Sequence, residues 1–180
     1  MTVAALTAPA RNRTRSKGGF DLHPATRAMI GFAATAMTAV CLYAIIRAAL
    51  GWTPELPHLR NIAVMIHVAS VLPCVPLGGY LLLTRKGTKR HKALGKVWLG
   101  LMVSTAVSAI FIKTGGTFSW LHIFVPTTLF FCCKAIATAR RGDIKAHKQA
   151  LVITFMTALI IPGVFSMIVP GRLMNVMLLG

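Results

Sequence analysis

The sequence predicts an all-α integral membrane protein with five transmembrane helices, in which an N-terminal span precedes a duplicated four-helix bundle. Apolar residues make up 56% of the 180 residues, and the mean hydropathy is +0.70, which is unlike an ordinary soluble domain. Because about 20 apolar residues cross a bilayer as a helix, the number of apolar stretches of that length gives the number of spans. A repeat of histidines and basic turns in the last two thirds of the chain indicates the duplication.

The apolar stretches set the expected order of elements. The expected spans are Met29–Trp52, Asn61–Thr84, Leu94–Ile112, Thr117–Ala139 and Gln149–Val169. We therefore divide the chain into a basic cytoplasmic arm at 1–28, a first transmembrane helix at 29–52, a histidine-bearing four-helix core at 61–170 and a periplasmic tail at 171–180. Pro-Gly pairs at 162–163 and 170–171 predict a weakened and then terminated last helix.

The net charge of +17, with only three acidic residues, is placed asymmetrically along the chain. The N-terminal arm and the turns near residues 85–96 and 140–148 hold most of the lysines and arginines. Basic loops stay in the cytoplasm, so the asymmetry predicts an N-in, C-out protein of the bacterial inner membrane. It favours contact with anionic lipid headgroups over nucleic-acid binding.

Histidines and basic turns recur with the same spacing in the two halves of the core. In each copy, a histidine inside an apolar stretch precedes a basic turn by 18 residues, and a second histidine follows the turn. The first copy reads His67, Arg85-Lys86-Gly87 and His91-Lys92, and the second reads His122, Arg140-Arg141-Gly142 and His147-Lys148. The pattern predicts one helix-turn-helix unit used twice.

The repeat predicts two facing histidine pairs stacked across the membrane. His67 and His122 both lie one to two turns into helices that start outside, whereas His91 and His147 both open helices that start inside. Parallel repeats place the second span across from the fourth and the third across from the fifth. Facing imidazoles in an apolar bundle are the ligands of a six-coordinate haem b, so we expect one or two haems with these histidines as iron ligands and no catalytic residue.

Cations at both ends are candidate partners for the haem propionates. They are Arg60, Lys113 and Arg172 at the outer end and Arg85, Lys89, Arg90 and Arg140 at the inner end. Glycines on the second and third spans would allow a macrocycle to approach the backbone, and they are Gly78, Gly79, Gly95 and Gly100. Pro126 removes the amide that would bond the carbonyl of His122, which predicts a bent or opened helix there.

Two other classes of function remain open. A membrane histidine is often an interhelical hydrogen-bond donor, and on that reading the chain is a cofactor-free structural protein or an accessory subunit of a larger complex. A small transporter that relays protons through the histidines is less favoured, because no acidic residue lies at membrane depth to accept the proton. The hypothesis that the protein binds haem also implies a redox partner.

Residues from about 60 to 175 resemble an uncharacterised family of bacterial predicted membrane proteins, domain of unknown function 2306. The resemblance lies in His67, Arg85-Lys86-Gly87, His91-Lys92-Ala93-Leu94-Gly95, His122, Arg141-Gly142-Asp143, His147-Lys148 and Pro170-Gly171-Arg172. More distantly, the layout is similar to the cytochrome b-561 superfamily, whose four core helices hold two haems b by histidines on alternate helices. That resemblance implies that His67 pairs with His122 at one haem and His91 with His147 at the other.

Overall fold

The structure is a computed structural model that describes residues 22–113, 117 and 119–180, and it is all-α. Its α-helices are α1 (Pro24–Ala49), α2 (Ile62–Leu83), α3 (Lys89–Ile110), α4 (Phe124–Arg141), α5 (Ile144–Thr154), α6 (Ile161–Ile168) and α7 (Leu173–Leu179). Short 3-10 turns at Pro57–Arg60 and Trp120–Ile123 precede α2 and α4, and a π-helical segment at Phe155–Ile160 joins α5 to α6.

Five helical segments are long and apolar enough to cross a membrane, which confirms the predicted number of spans. They are Pro24–Ala49, Ile62–Leu83, Lys89–Ile110, Trp120–Arg141 and Ile144–Ile168. The first span begins five residues before the predicted boundary, since Pro24 is a favourable first helical residue and the His23 ring accepts a hydrogen bond from the amide of Ala25. Most of the predicted N-terminal arm, residues 1–21, lies outside the described residues.

Side-chain caps also start α3 and α5 earlier than hydropathy predicts. Thr88 Oγ1 accepts from the amide of His91 at 3.0 Å, and Asp143 Oδ1 accepts from the amide of Ala146 at 3.0 Å. Both caps satisfy amides that the first helical turn leaves without partners. The helices therefore run through the basic residues, and His91 and His147 lie inside regular helix rather than in a loop.

The helices of the core pack as a ring. α2 packs on α3, α3 on α4 and α4 on α5, and the π-helical segment closes the ring against α2. This order puts α2 diagonally across from α4 and α3 diagonally across from α5, as the repeat predicts. α1 lies outside the ring against α2, and α7 packs on α1 and α6.

The last span is irregular where the sequence predicts weakness. Pro162 is at the start of α6 and has no amide hydrogen to donate, and the six residues before α6 form the π-helical segment. α6 ends at Ile168, and Gly171 has a φ of +74° in the turn that follows. A short helix, α7, occupies most of the predicted C-terminal tail.

Candidate functional site

A cavity of about 780 Å³ opens between the four core helices at one end of the bundle. We call this the basic end, where residues 84–88 join α2 to α3 and residues 142–143 join α4 to α5. His91 of α3 and His147 of α5 both line the basic-end cavity. Its volume lies in the range of cofactor and small-molecule sites, so the structure brings one predicted histidine pair to one cavity.

A hydrogen bond fixes the orientation of the His147 ring. Nδ1 lies 2.8 Å from the carbonyl oxygen of Ala135 on α4. A carbonyl oxygen can only accept, so Nδ1 carries the hydrogen and, in the neutral ring, Nε2 carries the lone pair. This arrangement, in which one ring nitrogen is held by the backbone and the other is left to bind, is typical of metal-ligating histidines.

The His91 ring has an unsatisfied polar atom. Its Nδ1 is buried and has no hydrogen-bond partner among the described residues. His91 faces the same cavity as His147. Buried polar atoms are nearly always hydrogen-bonded, so the unpartnered Nδ1 is unusual. Because that atom is almost wholly enclosed by protein, only the other ring nitrogen could meet a ligand in the cavity.

The cavity walls are mainly apolar and come close to the backbone on α3. A side chain added at Gly95 or Gly100 would meet no atom within 4 Å, so both glycines leave open space along the wall that α3 contributes. Gly78 and Trp98 also line the cavity, but Gly78 serves close packing, since an added Cβ would lie 2.7 Å from Trp98 Nε1. Gly79 likewise packs against Ala34 of α1.

Three cations belong to the cavity lining: Lys92 and Lys96 of α3 and Arg140 of α4. Each is also exposed at the surface of the bundle, and we call the part of the lining that these three residues form the cavity mouth. Within the described ranges, no group of three or more His, Cys, Asp or Glu side chains is placed to hold a bare metal ion. Haem needs only two protein ligands, because the porphyrin supplies the other four nitrogens.

His67 and His122, the other predicted pair, form hydrogen bonds with nearby residues. His67 Nδ1 lies 3.0 Å from the carbonyl of Thr105 and 3.3 Å from Ser108 Oγ, both on α3. Its Nδ1–H therefore links α2 to α3. Beside it, the hydroxyls of Ser70 and Ser104 lie 2.9 Å apart and add a second polar contact between the same helices.

His122 lies in the 3-10 turn before α4. Its ring and Ser119 form a capping box, with Nδ1 3.1 Å from the Ser119 amide and 2.8 Å from the Ser119 carbonyl. The change from 3-10 to α geometry falls beside Pro126, where the sequence predicts an opened helix. Neither of the two cavities described, at the basic end and between α1 and α2, is lined by His67 or His122.

Of the predicted propionate partners Arg140, Arg85, Arg60 and Arg172, the cavity lining includes Arg140 but not the other three. Arg140 lines the basic-end cavity, whereas Arg85 is exposed in the adjacent turn and is not part of the lining. At the other end, Arg60 forms an exposed ion pair with Glu55 at 4.0 Å, and Arg172 Nη2 donates to Ser119 Oγ at 2.6 Å.

Trp98, Lys92 and Lys96 are among the lining residues that the sequence analysis does not single out. A signal for Trp98 was present, because His91, Gly95 and Trp98 follow the spacing of one helical face. The two lysines were counted only as topology determinants. Their contribution to a cavity follows from the early start of α3, which hydropathy does not reveal.

A family model described as predicted membrane protein (DUF2306) matches residues 64–176, more than half of the chain. The chain belongs to the DUF2306 family. The match covers the core from α2 into α7 and includes all four repeated histidines, while α1 lies outside it. No curated protein and no solved structure matches the chain. Together with the five apolar helices, membership in DUF2306 identifies a multi-pass membrane protein.

Proposed function

We propose that this protein is a membrane b-type cytochrome that holds a haem b in the basic-end cavity, with His91 and His147 as the iron ligands. The observation that carries the proposal is the pair of imidazoles, from diagonally opposed helices, that line one apolar cavity. The backbone hydrogen bond of His147 leaves Nε2 as the nitrogen available to iron. The cationic mouth matches the two carboxylates of a haem.

Haem b would supply reversible one-electron exchange at its iron, and the chain's own residues would bind and orient it. His91 and His147 would supply the two nitrogen ligands, and the apolar walls would exclude water. Lys92, Lys96 and Arg140 would raise the reduction potential, because nearby positive charge favours the form that carries the extra electron. The function we infer is single-electron transfer along or across the membrane with a redox partner or larger membrane complex.

A second haem between His67 and His122 remains a prediction. Nδ1 of each ring already makes a local hydrogen bond, and neither ring lines a described cavity. These bonds favour a structural role for this pair, in joining α2 to α3 and in starting α4. The proposal for the basic end does not depend on a second haem.

We also propose that the basic end faces the cytoplasm of a bacterial inner membrane, with the N-terminus inside and the C-terminus outside. The turns and the adjoining helix ends at this end of the bundle are rich in lysine and arginine, and Asp143 is the one acidic residue in them. The positive-inside rule and contact with anionic headgroups support this orientation.

The visible absorption spectrum of the purified full chain tests the proposal, with haem precursor supplied during expression. We expect the narrow bands of a low-spin b-type haem, which sharpen on reduction. If the protein is folded and inserted but shows no haem absorbance, the proposed cytochrome is wrong. The favoured function would then be a cofactor-free accessory subunit, in which all four histidines serve helix packing.

A further inference from the structure

We infer that Lys92, Lys96 and Arg140 form a binding subsite for the anionic end of an amphiphile whose apolar body fills the basic-end cavity. The subsite deepens the proposed function, in which the anionic groups are the haem propionates. The same chemistry also belongs to an anionic lipid, whose headgroup phosphate would meet the three cations while its chains entered the apolar space.

The charges around the cavity mouth are unbalanced. The chain has three acidic residues, at positions 21, 55 and 143. Asp143 is engaged as the cap of α5, and Glu55 pairs with Arg60 near the opposite end. Among the residues that the structure describes, no acidic side chain lines the cavity, and none forms an ion pair with Lys92, Lys96 or Arg140. Cations without protein counter-ions attract an external anion.

The positions of the three cations suit one ligand rather than three separate ions. Lys92 and Lys96 are four residues apart on α3 and so lie on one face of that helix, and Arg140 approaches from α4. All three line the same cavity as the two histidines, and the rest of the cavity lining is mainly apolar. A planar guanidinium suits bidentate binding of a carboxylate or phosphate.

The sequence offers a charge-matched control for substitutions of Arg140 and of Lys96. Arg141, the last residue of α4, and Lys89, the first residue of α3, are exposed cations at the same end of the bundle, and neither lines the cavity. The variants Arg140→Gln and Lys96→Gln therefore change the net charge by the same amount as Arg141→Gln and Lys89→Gln. Arg140→Lys keeps the charge and loses only the fork geometry.

The experiment has two arms, both with the full chain in nanodiscs or detergent and with helicity checked by circular dichroism. In the first arm, haem b is titrated into haem-free protein and its affinity is read from the Soret band. In the second, binding of phosphatidylglycerol is measured by native mass spectrometry against phosphatidylcholine with the same chains. We expect Arg140→Gln and Lys96→Gln to weaken binding by about tenfold each, since a charge-assisted hydrogen bond is lost, and the two controls to leave it unchanged.

The outcomes separate this inference from the proposed function. If Arg140→Gln and Lys96→Gln, the cavity variants, weaken haem binding and the two control variants do not, the result supports both the subsite and the proposed cytochrome. If haem does not bind but the cavity variants alone weaken phosphatidylglycerol binding, the subsite stands and the cytochrome is wrong. Equal binding of both ligands in cavity and control variants overturns the subsite, even if the protein binds haem. If Arg140→Gln does not fold, the binding of haem and phosphatidylglycerol by Lys96→Gln and Arg140→Lys is compared with that of the control variants instead.

Discussion

Gly78 shows how closely side chains approach the backbone next to the basic-end cavity. Trp98 is buried, and its Nε1–H donates to the carbonyl of Cys74 at 2.9 Å. This bond carries the indole across α2 directly over Gly78, and Phe155 from the π-helical segment fills the remaining space. Gly78 is therefore required for α2, α3 and the π-helical segment to pack together at this point. Gly95 and Gly100 on α3, by contrast, leave open space.

Replacement of Gly78 by alanine should destabilise the protein. The new Cβ would lie 2.7 Å from Trp98 Nε1 and 2.8 Å from Phe155 Cδ2, so two buried rings must shift at a cost of about 1–3 kcal/mol. Thermal unfolding of haem-free protein in detergent should show a lower midpoint. Gly31→Ala is the control, because its nearest contact would be an ordinary 3.7 Å. Equal midpoints for the two variants would contradict the packing described.

At the residue scale, the repeat in the sequence singles out four histidines but does not predict what their ring nitrogens contact. The spacing of the repeat identifies all four, and the ring packing of the helices brings His91 and His147 to one cavity. The partners of His67 and His122 are set by backbone positions on α3 and in the 3-10 turn, which no spacing rule specifies. For that reason the sequence treats the two pairs alike, while the structure gives them different surroundings.

Among the elements, the C-terminal end of α7 is bound by a side chain from α1. The Arg47 guanidinium donates to the carbonyls of Met177 and Leu178 and to that of Gly180 at 3.1 Å. It also donates to the carbonyl of Trp52 at 3.0 Å. These are the carbonyls that the end of a helix leaves without partners, so Arg47 joins the end of α1 to the end of α7.

The variant Arg47→Gln should loosen α7 without unfolding the bundle. The short helix loses charge-assisted hydrogen bonds at its C-terminal carbonyls, so we expect its amides to exchange hydrogen about tenfold faster. Exchange measured by mass spectrometry should change within residues 173–179 and not in α3 or α4. Arg60→Gln is the control, since its exposed ion pair with Glu55 contributes little. Unchanged exchange in α7 would show that Arg47 does not hold it.

Element boundaries show the limit of hydropathy as a guide. Apolar stretches predict the number and order of the spans, because the cost of polar groups in hydrocarbon sets their length. They do not predict that α3 and α5 begin five residues early, since helical hydrogen bonding continues through the lysines after the Thr88 and Asp143 caps. Those additional turns place both histidines of the candidate site on rigid helices.

For the whole molecule, the distribution of charge predicts the orientation in the membrane. A reporter that is active only in the periplasm should work when fused after Gly180 or within 53–58, and it should fail within 85–90. The reason is the preference of lysine and arginine for the cytoplasmic side. Activity within 85–90 would reverse the orientation and place the basic-end cavity outside.

The central claim is that His91 and His147 hold one haem in the basic-end cavity, and the haem-to-protein ratio of histidine variants tests it most directly. We predict about one haem per wild-type chain if the basic end is the occupied site, and less than about a tenth of that in His91→Ala and His147→Ala, because each removes an iron ligand. His58→Ala should retain the wild-type ratio, since His58 lies in the 3-10 turn before α2 and bonds the carbonyl of Gly171. Full haem content in both ligand variants, or no haem in the wild type, would contradict the claim.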